Sequence, residues 1–385
     1  MGIQFSDSVR RCCVGMIFLV FITTGCQSDV EALDVINISN TPGRSEFPAI
    51  AADSRGYFYV VWEERAPNGI LDIYISERPL GGDWTDPEYI LEPLTPQRQP
   101  EVVVDNENTL HVVGQYSNPQ GGGEVLYTRK PLNGDWTIPE IIRMYGAAAR
   151  PDLAVDNGGN IHIVWVELVG PWPVFYAKKA HNGSWSTPVQ ISTDDAFPWS
   201  SPEIVVDLQG YAHVVWTAST QEPSSLNWMT YTTNAQGDTW SSPTVVALDS
   251  ALGIGSPTIA VDNERTIHVA WSQNRNISYT FKFTDTQWNA PTSVCSNSTV
   301  SEWPCLVTDN AGVLHLVWSE VISELYYATK DTGSDWSEPD VYQVTLYSMK
   351  MALSTNTLGI VFSTHSETDT LLENYEIFFV EVPKK

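Results

Sequence analysis

The chain has 385 residues, 42% of them hydrophobic and 11% aromatic, and a formal net charge of −26. That much apolar material excludes a disordered chain and supports a large core. The acidic field repels phosphate backbones and anionic lipid surfaces, which argues against nucleic acid as a partner.

The N-terminus reads as an export segment. Arg10 and Arg11 precede an apolar run, Val14 to Ile22, too short to span a membrane as a permanent helix. The run ends in Thr23, Thr24, Gly25 and Cys26. Small residues before a cysteine resemble the lipobox of bacterial lipoproteins, with Thr23 where leucine is usual. The resemblance implies removal of residues 1–25, lipidation of Cys26 and a place in the cell envelope, at the outer membrane or cell surface. Gln27 follows instead of the aspartate of the familiar inner-membrane retention signal. Membrane contact would run through the anchor alone, and residues 26–385 would form a single domain.

From there the chain repeats itself. Six segments open with proline and alternate to an aspartate: PAIAAD at 48, PEVVVD at 100, PDLAVD at 151, PEIVVD at 202, PTIAVD at 257 and PCLVTD at 304. A polar turn follows, then a strand such as NIHIVW, then a third such as VLYTRK at 125–130. Each unit closes on Trp-x-x-Pro, with Trp84, Trp136, Trp185, Trp240, Trp288 and Trp336. Period-two patterning and turn residues define four short strands per unit. Four strands recurring roughly every 50 residues are the signature of a β-propeller blade. Strand A lines the central channel and strand D lies on the rim. A seventh, partial unit follows: MALSTN at 351, LGIVFST at 358 and YEIFFVEV at 375. Its missing outer strand is expected from ALDVINIS at 32–39, which would close the ring and hide an edge. The expected fold class is all-β, a propeller of seven four-stranded blades, with six as the alternative.

His111, His162, His213, His268 and His315 occupy one position in five units, each after an aspartate. A catalytic residue is needed once, so a residue used five times serves the blade. Hydrogen bonding to turn or neighbouring backbone is the expected role. Symmetry spreads the five around a ring, which argues against a zinc site. No HExxH, CxxC or EF-hand loop occurs, so neither metal nor cofactor is implied. Cys295 and Cys305 lie ten residues apart and read equally as a disulfide or as two free thiols.

One turn carries a family resemblance. Residues 329–336 read TKDTGSDW, matching Ser/Thr-x-Asp-x-Gly-x-x-Trp through Thr329, Asp331, Gly333 and Trp336. This is the Asp-box, and the chain resembles a degenerate sialidase-like (BNR-repeat) propeller. In that family the box stabilises a blade turn on the face away from the active site. The resemblance also implies three arginines gripping a substrate carboxylate, a tyrosine nucleophile polarised by glutamate, and an aspartic acid/base. No such tyrosine–glutamate pair is picked out here.

If repeats are structure, departures from them are the functional candidates. The D–A and B–C loops share one face, which collects Arg44, Arg98 and Arg150 and the unrepeated Trp172, Trp199 and Trp303. Aromatic faces stack on sugars and guanidinium groups pair with carboxylates. The leading expectation is therefore glycan binding on this face. A sialidase-like exo-glycosidase is the alternative, with Arg98 in the Arg-x-Pro spacing. A scaffold for a protein partner in the envelope is the third reading.

Overall fold

The computed structural model describes residues 33–90, 97–117, 122–142, 147–193, 197–198, 200–219, 227–235, 237, 239–248, 253–284, 286–294, 300–320, 323–355, 357–365 and 375–385. Residues 1–25, expected to be an export segment, and Cys26, Trp199 and Cys295 lie outside the described residues.

Seven antiparallel sheets form a propeller ring, one per sequence unit. The first blade runs Arg44–Ala52, Phe58–Arg65, Leu71–Arg78 and Glu88–Tyr89, from channel to rim. The innermost strands of the next blades are Gln97–Val104, Ala148–Val155, Glu203–Val206, Ile254–Val261, Ser301–Thr308 and Ser348–Leu353. In blade four a short extra piece, Phe197–Pro198, pairs with the same neighbour as Glu203–Val206. The seventh blade takes its outer strand from the start of the chain. Ile36–Asn37 pairs antiparallel with Tyr375–Pro383. Beside it Ile38 N–H donates to the Ile377 carbonyl at 2.8 Å, and Ile38 is buried.

The second strand of each blade reads as a near-continuous apolar run because both of its faces are covered by neighbouring blades. Ile161–Glu167 is buried at every position. The core is accordingly a set of slabs between blades. One slab joins Val113, Val125 and Tyr127 of blade two to Leu153, Ile163 and Trp165 of blade three.

The repeated histidines hold these slabs together: they bond the turn, as the sequence suggested, through its aspartate side chain, and a tyrosine in place of neighbouring backbone. His162 Nδ1 lies 2.9 Å from the Tyr176 hydroxyl, and its Nε2 lies 3.3 Å from Asp156. A carboxylate only accepts, so Nε2 carries the proton and Nδ1 accepts from the phenol. His111 repeats this with Tyr127 and Asp105 at 2.8 and 3.1 Å. In blades four and six the aspartate separates to 3.5 Å while the tyrosine stays at 2.7 Å. Burial holds the His111, His162, His213 and His315 imidazoles below their usual range, hence neutral near pH 7. The other carboxylate oxygen of Asp156 accepts from the Gly158 and Asn160 amides and pins the A–B turn, where Gly159 takes φ 74°. The Trp of the next unit then meets the tyrosine edge-on: Trp185 on Tyr127 at 5.2 Å and Trp288 on Tyr231 at 5.2 Å. Asp, His and Tyr from one blade and Trp from the next form a clamp repeated around the ring.

The Asp-box segment makes the C–D turn of blade six. Ser337 N–H donates to the Thr329 carbonyl at 2.8 Å, Gly333 takes φ 77°, and Trp336 stands edge-on to Tyr279. Thr329, Asp331, Gly333 and Trp336 thus lie on the face opposite the D–A connections.

Candidate functional site

The site begins with a bulge. In blades one, two, three, five and six the pairing between strands A and B slips just before the strand A proline. Proline cannot donate to a ladder, and a bulge absorbs the missing bond by turning one side chain out of register. The residue before proline is left-handed in four of them: Phe47 at φ 50°, Gln99 at 49°, Arg150 at 54° and Trp303 at 49°. Each costs about 1–3 kcal/mol of strain, because a Cβ is crowded there. All four line one cavity of about 280 Å³ at the channel mouth, with Ser201, Ser256 and Ser348 completing the circle.

Two residues deeper lies a second circle: Glu101, Asp152, Glu203, Cys305 and Lys350. Lys350 Nζ sits 3.0 Å from Glu101 and 3.8 Å from Glu203. One ammonium faces three carboxyls. Burial, together with the charges of Glu101 and Glu203, pushes the Asp152 carboxyl up to about 8, against the pull of Lys350 and the Ile204 amide. Burial also raises Glu203. The three carboxylates raise Lys350 well above its ordinary value, against its own burial. Asp152 is braced by the Leu153 and Ile204 amides at 2.8 and 2.9 Å. Cys305 is a free thiol, donating to the Met349 carbonyl at 3.3 Å, and burial pushes it up to about 12. Beyond this circle the wall turns apolar, through Ala51, Val103, Ala154, Val205, Ala260 and Val307.

Of the residues singled out in the sequence, the mouth gathers Arg150 and Trp303. Burial lowers the Arg150 guanidinium from its usual value without threatening its charge. Arg44 lies off the cavity, bonded to Glu46 at 2.7 Å and stacked over Tyr375 at 4.6 Å. Arg98 is exposed and stands opposite Gln115, one residue outside the mouth. Trp172 is half-exposed on the B–C loop of blade three, away from the cavity lining. Several acids of this face are consumed by packing. Glu64 accepts from the Trp62 indole at 3.1 Å and from Ser45 at 2.6 Å, and Glu167 accepts from Trp165 at 3.1 Å. The deeper circle was missed in the sequence although a signal exists. Glu101, Asp152 and Glu203 each follow the proline directly, in strands that are otherwise apolar. Among the described residues no cluster has the geometry of a metal site.

No protein-family model matches the chain. A curated relative, a xylosidase/arabinosidase of Butyrivibrio fibrisolvens, is 25% identical over 132 residues, 34% of this chain. The matched part is 24% of that enzyme's length. Solved structures align over far more. A PL25 ulvan lyase bound to -[GlcA(1-4)Rha3S]- superposes with TM-score 0.63 at 12% identity, covering 91% of this chain and 96% of the lyase. A lectin of Burkholderia pseudomallei gives 0.64 at 14%, covering 83% and 93%. A Hadza microbial sialidase gives 0.53 at 11%, covering 86% and 74%. Fold and repeats together define the chain as a seven-bladed β-propeller, the fold it shares with these lyase, lectin and sialidase structures.

Proposed function

We propose that this protein is an exported, lipid-anchored propeller that binds a glycan at the channel mouth. One observation carries the reading: four non-glycine side chains from four blades are held in a strained backbone conformation and all line one cavity. Strain concentrated on one spot supports a binding role there. The chemistry suits a sugar: Trp303 and Phe47 offer faces for stacking, Gln99 and the serines exchange hydroxyl hydrogen bonds, and Arg150 pairs with a carboxylate. The lyase, lectin and sialidase neighbours lend support by likeness of fold alone. Ligand-observed NMR with acidic and neutral oligosaccharides tests it. Trp303→Ala should weaken binding at least tenfold and leave the unfolding transition in place; unchanged affinity sinks the assignment.

Hydrolysis is the second reading, favoured by Asp152, which keeps its proton near neutrality at the floor of the cavity. New free-sugar signals in the same spectra, absent in Asp152→Asn, would support it. The anchor is tested separately: Cys26→Ser should release the protein from the membrane fraction.

A further inference from the structure

Among the described residues the mouth has an open side. In blade five the second and third strands turn on two residues, Asn274 at φ 54° and Arg275 at φ 70°, where blade three spends residues 168–173. In this gap lies a second cavity of about 440 Å³, lined by Asn227, Gln273, Asn274, Arg275 and Glu302 among others. It adjoins the mouth along two neighbouring strands. On Ile254–Val261, Gly255 lines the outer cavity and Ser256 the mouth. On Ser301–Thr308, Glu302 lines the outer cavity and Trp303 the mouth. At this junction Gly255 packs directly against Ser272, whose hydroxyl a Cβ would meet. The exposed Arg275 guanidinium has no ion-pair partner among the described residues.

We infer that the ligand is a chain of sugars with carboxylates on more than one residue, read along a groove that enters over blade five. This rests on the glycan reading above and goes further. A single acidic sugar needs one guanidinium. Here Arg150 stands in the mouth and Arg275 in the outer cavity, in a chain of net charge −26. Beside them stand Trp303, a stacking face in the mouth, and Glu302 and Asn227 in the outer cavity, which serve hydroxyl groups.

The test is calorimetric titration with (1→4)-linked galacturonic acid oligomers of one to six sugars, beside a neutral series of equal lengths. Wild-type affinity should rise at least tenfold from monomer to tetramer in the acidic series. Arg275→Ala should flatten that rise and leave monomer affinity unchanged. Monomer binding with no gain in length removes the groove and leaves the glycan reading standing. Equal loss for monomer and tetramer in Arg275→Ala also overturns it, because the arginine then acts only through the general field. Binding confined to neutral sugars overturns the acidic chain. Silence from both series removes the glycan reading and this inference with it.

Discussion

Replacing Lys350 with methionine isolates the electrostatics of the channel floor. An ammonium 3.0 Å from Glu101 and 3.8 Å from Glu203 gains about 1 kcal/mol per pair in bulk water and about 4–6 kcal/mol at an effective dielectric constant of about 20. The lysine side chain is 35% exposed, so channel water screens the circle and the lower part of that range applies. Lys350→Met should therefore cost about 2–3 kcal/mol at pH 8.5. The cost has a definite pH dependence. Without the ammonium, the folded state holds its carboxyls still further above their unfolded range, where Asp152 and Glu203 already lie. It then binds more protons than the unfolded state, so stability falls as pH rises. Below about pH 4 the circle is protonated in both states and the penalty vanishes. Urea unfolding followed by tryptophan fluorescence at pH 5, 7 and 8.5 measures this. A difference between wild type and variant that stays constant across pH, or is absent at pH 8.5, refutes the reasoning and shows that water rather than lysine balances the carboxylates.

Two further predictions concern the blades. Tyr231→Phe removes the hydroxyl that His213 Nδ1 accepts at 2.7 Å and leaves a nitrogen orphaned in a buried ring. It should cost about 1–3 kcal/mol in urea unfolding, and a loss under about 0.5 kcal/mol would show that water enters the clamp. Glu167 has one carboxylate oxygen without a partner, whereas Glu64 and Glu320 accept from Ser45 and Ser301 at 2.6 and 3.2 Å. The position opposite Glu167 is Ala148. Ala148→Ser should add about 1 kcal/mol of stability near pH 7, and should bring Glu167 down towards its ordinary range; destabilisation would mean that the slot cannot admit the oxygen.

The blades were legible because a repeat shows itself. One Asp and one His recurring at fixed spacing, and one Trp-x-x-Pro per unit, report the clamp six-fold or five-fold, so accident is averaged away. The tyrosine partner stayed hidden because its distance from the histidine varies: Tyr279 is eleven residues beyond His268, and Tyr231 eighteen beyond His213. The site is less legible because one residue of register decides it. In Arg98-Gln99-Pro100 the arginine faces out and Gln99 faces the mouth; in Arg150-Pro151 the arginine is itself the mouth residue. An alternating strand reverses every side chain with a shift of one, and the bulge that sets the register is invisible in composition. The acids after the prolines hid for the opposite reason, looking like unremarkable parts of the repeat.

The strand that completes the seventh blade is the first part of the ring to be synthesised. Ile36 and Asn37 pair with Phe379 and Phe378, so they remain without their edge until Tyr375–Pro383 has been made. Blades one to six can assemble in order as they emerge, each against the one before. Closure alone joins points some 340 residues apart, and the associated loop entropy is about 5 kcal/mol. Closure is therefore expected to be the slow step, and until it occurs the open sheet edge of blade seven would be available to other strands. A chain halted a few residues short of Tyr375–Pro383 would retain six sound blades and be the species most prone to aggregate.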